Sequence, residues 1–130
     1  MTTTKTPASL NTLQLSAAIA ALAAAGQTVL GFILSMGNFS VSSVHASVGG
    51  IALLAAIVAG VASVLWKRRS GNSGLMGHAV GMAVFGLAQF ALGELGGGLV
   101  TVHIIAGLAF LVGAVALAVI AYRRPGVAAA

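Results

Sequence analysis

The chain has 130 residues, of which 59% are hydrophobic and only 5% are charged. Soluble domains carry roughly 25% charged residues, so the composition excludes a soluble globular domain. The net charge is +5, but the six cations lie in three separate places rather than along one face, so we expect no nucleic-acid partner. The absence of cysteine excludes disulfides, thiolate metal sites and covalent c-type haem. The composition therefore predicts an integral membrane protein whose first partner is the lipid bilayer.

Four stretches of the chain are long and apolar enough to cross a membrane. A helix needs roughly 20 apolar residues to span a hydrocarbon core of about 30 Å, and residues 13–36, 44–66, 75–95 and 100–122 satisfy this. None of them alternates polar and apolar residues as the strands of a membrane barrel do. Because the connections are short, neighbouring helices must run antiparallel. The sequence therefore predicts an all-α, four-helix transmembrane bundle forming a single domain over residues 1–130.

The basic residues predict the orientation of this bundle. All of them precede the first span, separate the second from the third, or follow the fourth: Lys5, Lys67, Arg68, Arg69, Arg123 and Arg124. The end of the bundle that carries Lys67–Arg69 and Arg123–Arg124 is called the basic end below, and the opposite end the distal end. The positive-inside rule places the basic end and both termini in the cytoplasm. We expect a multi-pass protein of the inner (plasma) membrane.

The two halves of the chain repeat a short pattern. Residues 27–31 match residues 89–93, as Gln-x-x-Leu-Gly, and residues 44–49 match 102–107, as Val-His followed by Gly four residues after the His. Both hairpins have the same orientation, so the sequence predicts an internal repeat with its axis along the membrane normal. Gln and His are rare in this chain, which makes their paired recurrence informative.

The repeat places two histidines at similar depth near the distal end. His45 and His103 each begin an even-numbered span, and these two helices run in the same direction. Facing each other across a bundle, two imidazoles can hold one metal, as a b-type haem requires. Gly49 and Gly107 lie on the same helix faces, four residues after each His. The sequence predicts that they leave room for a flat macrocycle.

Other polar residues are candidates for further contacts with a cofactor, and each also has an alternative role. Gln27 and Gln89 are candidates to bond a cofactor edge, a ligand backbone or a quinone carbonyl, and interhelical hydrogen bonding is the alternative. Glu94, the only acid, is a candidate to orient a ligand histidine, or is a solvated helix-end carboxylate. Bare copper or zinc, with Met36 or Glu94 as third ligand, remains open.

A third histidine lies near the basic end of the third span. His78 has no matching histidine in the first half of the chain, so we expect a structural or interfacial role. Gly77 and Gly81 flank it as a Gly-xxx-Gly pair, which predicts close helix contact within the bundle or with a neighbour.

The alternation of Gln-x-x-Leu-Gly in one helix with Val-His at the start of the next resembles one four-helix half of haem A synthase, a cytochrome oxidase assembly family. It is also similar to small, uncharacterised actinobacterial four-helix membrane proteins. The resemblance covers residues 27–60 and 89–113. It implies that His45 and His103 form the axial pair and that Gln27 and Gln89 match recurrent glutamines. The first distal loop lacks the family's carboxylate and loop cysteines are absent, so the resemblance does not extend to hydroxylase activity.

No catalytic constellation is present in the sequence. It contains no phosphate-binding Gly-Lys-Ser/Thr loop, no Ser-His-Asp set and no pair of carboxylates for acid–base work. We therefore name no catalytic residue and favour a non-enzymatic role. The leading hypothesis is a small haem b-binding membrane protein, an accessory or electron-transfer subunit of a larger membrane complex. The alternative is a cofactor-free structural or assembly subunit that packs against a respiratory, photosynthetic or transport complex.

Overall fold

The fold consists of four long helices. A computed structural model describes residues 6–126 and contains α1 (Ala8–Ser35), α2 (Ser42–Ser70), α3 (Ser73–Leu95) and α4 (Val100–Arg123). Two short 3-10 helices, Phe39–Val41 and Gly97–Leu99, precede α2 and α4. All four α-helices are long and apolar enough to cross a membrane. The predicted all-α four-helix bundle is confirmed, whereas Lys5, used for the orientation, lies outside the described residues.

The helices extend beyond the predicted apolar spans at the basic end. Helix α1 begins at Ala8 rather than at residue 13, and α2 continues to Ser70 rather than ending at residue 66. Hydropathy marks only the part of a helix that lies in lipid, so polar terminal turns escape it. The cations Lys67–Arg69 occupy the last turn of α2, where positive charge interacts favourably with the negative end of the helix dipole.

The connection between α2 and α3 is only two residues long. Gly71 has a left-handed φ of +69° and its N–H donates to the carbonyl of Lys67, as a helix C-cap does. The side-chain oxygen of Asn72 then accepts a hydrogen bond of 3.0 Å from the N–H of Leu75 and caps α3. This tight turn makes α2 and α3 antiparallel neighbours.

The four helices form a square. Each packs against its neighbours in the chain, and α1 also packs against α4. Helices α2 and α4 therefore lie on a diagonal, as do α1 and α3. Residues of α2 and α4 can meet only across the bundle axis.

Small side chains fill the centre of the basic half of the bundle. Ala17, Ala59, Ala79 and Ala121, one from each helix, have no exposed surface. Small residues let helix backbones approach closely, which is how helices associate in lipid, where burial of apolar surface gains little. Larger side chains, among them Leu13, Trp66 and Leu117, are buried in the same core, so van der Waals packing of both kinds holds this half together.

The distal half of the bundle has no buried residue. The last buried residues toward the distal end are Ala24, Ala52, Gly86 and Phe110, and the stretches 25–51 and 87–109, all within the described residues, contain none. At 1.5 Å per residue these limits lie about 14 to 17 Å from the distal ends of their helices. Half of the membrane-spanning depth is therefore not filled by a packed apolar core, and both predicted site motifs lie there.

Candidate cofactor site

The imidazoles of His45 and His103 meet across the diagonal of the bundle. Their ring centroids are 6.3 Å apart and their planes are inclined at 74°. A metal ion bonded to two imidazole nitrogens at about 2.0–2.1 Å each would hold those nitrogens about 4 Å apart, with each ring centre roughly 1 Å farther out. The observed separation is thus compatible in length with two rings that share one metal. The pairing across helices α2 and α4 is what the sequence predicts.

His103 is held by hydrogen bonds from α3. The side-chain Nε2 of Gln89 donates to the main-chain carbonyl of His103 over 2.8 Å. The ring Nδ1 of His103 lies 3.1 Å from the main-chain oxygen of Gln89 and 3.1 Å from Gln89 Nε2. In the tautomer whose Nδ1–H donates to that carbonyl, Nε2 keeps its lone pair. This is the usual arrangement of a metal-binding histidine, whose other nitrogen donates to a carbonyl or carboxylate.

His45 has a different environment from His103. Its Nδ1 is buried and has no hydrogen-bond partner among residues 6–126. Within the same described range, Gln27 makes no bond to His45 that would correspond to the bonds between Gln89 and His103. The two histidines therefore share position and depth but not their hydrogen bonding.

Glycines of α1 and α3 lie against the two rings. A Cβ placed on Gly31 would be 3.5 Å from Cε1 of His45, and one placed on Gly93 would be 3.0 Å from Cε1 of His103. Each glycine lies four residues after a glutamine, on the same helix face. Their lack of a side chain lets the imidazoles pack edge-on against the neighbouring backbone.

Glutamine amides occupy the space beside Gly49 and Gly107. A Cβ on Gly107 would lie 3.0 Å from Nε2 of Gln89, and a Cβ on Gly49 would overlap Nε2 of Gln27. The sequence predicts room for a macrocycle here, and in the structure these glycines make room for glutamines instead. A flat ligand beside either glycine would require the glutamine to turn away.

Three buried polar atoms of this region lack partners. They are Gln27 Oε1, Gln89 Oε1 and His45 Nδ1, none of which has a hydrogen-bond partner in the described part of the chain. Leaving a buried acceptor unpaired costs about 1–3 kcal/mol. All three lie in the distal half, on the two glutamines and one of the two histidines that the sequence singles out.

Glu94 and Met36 do not join the histidine pair. Both side chains are exposed, and in residues 6–126 the carboxylate of Glu94 bonds neither imidazole. The same range contains no group of three or more His, Cys, Asp or Glu side chains that could hold a metal. Within this range, His45 and His103 therefore have no third His, Cys, Asp or Glu side chain beside them to complete a metal site.

The sequence alone did not assign Gly31 and Gly93 to the site, nor the aromatic residues on its core side. Phe110 is buried, two turns along α4 from His103 on the same face, and forms an edge-to-face pair with Phe85 at 6.1 Å. A Cβ on Gly86 would lie 3.2 Å from the Phe110 ring. These aromatic rings lie at the distal limit of the packed core. The Gln-x-x-x-Gly spacing contained the signal for Gly31 and Gly93.

No protein-family model, curated protein or solved structure matches the chain.

Proposed function

We propose that the chain binds one haem b between His45 and His103. The observation that carries the proposal is the meeting of the two imidazoles, one from each diagonal helix, with centroids 6.3 Å apart. Bis-histidine ligation from facing helices is a recurrent way of holding haem in bundles. In the described residues no third His, Cys, Asp or Glu side chain joins the two histidines, and such a pair suits a macrocycle, which brings its own donor atoms, better than a bare ion.

The chain's own residues would bind and orient the group. Nδ1–H of His103, donating to the Gln89 carbonyl, fixes the tautomer that leaves Nε2 available. Gly31 and Gly93 would let both rings keep their orientation against α1 and α3. Phe110 would exclude water from the core side. Haem, when bound, supplies one-electron chemistry whose potential depends on these ligands and on burial.

We also propose that the two hairpins are an internal repeat. Gly31 lies against His45 as Gly93 lies against His103, and glutamine amides lie beside both Gly49 and Gly107. The matching contacts support the repeat, whereas the likeness to one half of haem A synthase is a separate matter. That resemblance rests on the quoted motifs alone and includes no hydroxylase chemistry.

The proposed role is that of an accessory or electron-transfer subunit. By the positive-inside rule the site faces the non-cytoplasmic side of the inner membrane. A single haem near one face does not bridge a core of about 30 Å. It would exchange electrons with a partner subunit or carrier on that side.

Absorption spectroscopy tests haem binding directly. Protein purified from haem-replete cells should show a Soret band, and a pyridine haemochrome spectrum should identify haem b. His45→Ala and His103→Ala should each abolish the band, whereas His78→Ala, the matched control, should keep it. A folded protein without a Soret band, before and after added haem, would refute the proposal and favour the cofactor-free subunit.

A further inference from the structure

An apolar groove runs along the outside of the bundle between α1 and α2. Its wider part is open to the surroundings and has a volume of about 660 Å³. It begins at Arg68 and Arg69 and is lined by apolar side chains of α2 such as Val58 and Val61. A second depression of about 320 Å³ shares Thr12 and Val58 with the first and continues toward the distal end. The two depressions therefore adjoin along the helix pair.

The dimensions of the wider groove match one lipid leaflet. On α2 it extends from Arg69 to Ile57, which is about 18 Å at 1.5 Å per residue. Half of a hydrocarbon core is about 15 Å. A chain inserted from the basic end would therefore reach the middle of the bilayer within this groove.

The positive charge at the mouth of the groove has no counter-ion in the described part of the chain. Arg68 and Arg69 are both exposed, and the only acid, Glu94, lies at the other end of the bundle. The N-terminal turn of α1 opens on the same groove through Ala8 and Ser9. Its N-cap, Pro7, offers no side-chain hydrogen bond, so the free N–H groups add positive potential.

We propose that this groove binds one anionic phospholipid of the leaflet at the basic end. The phosphate pairs with Arg68 and Arg69, whose planar guanidinium groups suit two-pronged bonds to phosphate oxygens. One acyl chain lies along Val58 and Val61 between the helices. The site combines the two features of a lipid, a negative headgroup and a long apolar chain, and basic pockets between helices are known to select anionic lipids. It is independent of the proposed haem.

Native mass spectrometry of the full-length protein tests the charged part of the site. The protein is titrated with phosphatidylglycerol or with phosphatidylcholine of identical acyl chains. The first lipid should bind more tightly, and Arg68→Gln with Arg69→Gln should weaken it about 30-fold, or about 2 kcal/mol at 1.4 kcal/mol per tenfold. Arg123→Gln with Arg124→Gln, at the same end but outside the groove, should leave binding within twofold. Equal losses in both double variants would overturn the proposal.

A second pair of variants tests the apolar part. Val61, 60% exposed in the groove, and Val84, 62% exposed on α3 outside it, are matched positions. Val61→Trp should fill the groove and reduce phosphatidylglycerol binding at least tenfold while both arginines remain, and Val84→Trp should not. If Val61→Trp bound phosphatidylglycerol as tightly as the unchanged protein, the lipid would be held only by charge attraction at the surface. That result would refute a site in the groove. Helical circular dichroism of each variant verifies folding.

Discussion

His78 ties α3 to α4 through a single hydrogen bond: its ring Nε2–H donates to the main-chain oxygen of Gly113 over 2.9 Å. Gly113 has no side chain, and the sulfur of Met82 lies in the space that a Cβ would take. The third histidine therefore has its own partner in the core half, in contrast to Nδ1 of His45. The expected structural role of His78 agrees with this contact.

Loss of this bond should lower stability without affecting the distal site. Interhelical hydrogen bonds in membrane proteins contribute about 0.6 kcal/mol on average and up to about 1.7, so we expect His78→Ala to lower the unfolding free energy by about that amount. His78→Gln, which keeps a donor, should lose less. Unfolding by sodium dodecyl sulfate in mixed micelles gives the measurement, and identical stability of all three proteins would contradict the assignment.

Alanine at the two ring-facing glycines should have unequal effects. Gly93→Ala brings a Cβ to 3.0 Å from the His103 ring, whereas Gly31→Ala brings one to 3.5 Å from His45, an ordinary contact. We expect Gly93→Ala to displace the imidazole and weaken haem binding about tenfold, in the range seen when a ligand's orienting partner is lost. Gly31→Ala should stay within about twofold. Titration of each variant with haem, followed at the Soret band, gives the two affinities. A larger loss of affinity in Gly31→Ala than in Gly93→Ala would count against the site geometry.

The two glutamines should also differ in haem-free protein. Gln89→Met removes the 2.8 Å bond to the His103 carbonyl, so it should cost about 0.6–2 kcal/mol. Gln27→Met removes a buried oxygen that has no partner in residues 6–126, and so should be neutral or stabilising. Micelle unfolding curves of both variants test this. Equal destabilisation would mean that Gln27 bonds across the bundle as Gln89 does.

Single-cysteine labelling should determine the orientation. The chain has no cysteine, and Ser42 and Ser73 are exposed at the distal and basic ends. With the basic end in the cytoplasm, the Ser42→Cys variant should react with an impermeant maleimide in intact cells. The Ser73→Cys variant should react only after permeabilisation. The reverse pattern would move the histidine site to the cytoplasmic side.

Little in the sequence could have predicted the contacts within the site. His45, His103 and both glutamines are recognisable because polar residues are rare in these spans and recur with the same spacing. That a glutamine, and not open space, lies beside Gly49 depends on how α1 is rotated about its axis. Helices that are apolar on all sides carry no stripe that specifies this rotation. The packing of small side chains on neighbouring helices sets it instead.

By itself, the sequence determined the number of spans and the depth of the histidines. Lipid forces each segment to satisfy its own backbone bonds as a helix, so counting apolar residues is enough to give the number of spans. The depth of each histidine then follows from its position in the span, at a rise of about 1.5 Å per residue. Only the tertiary structure decided that α2 and α4 lie on a diagonal, that the rings are 6.3 Å apart, and that the packed core stops at Phe110. These features depend on contacts between helices, and apolar sequences of similar composition can make many such contacts equally well.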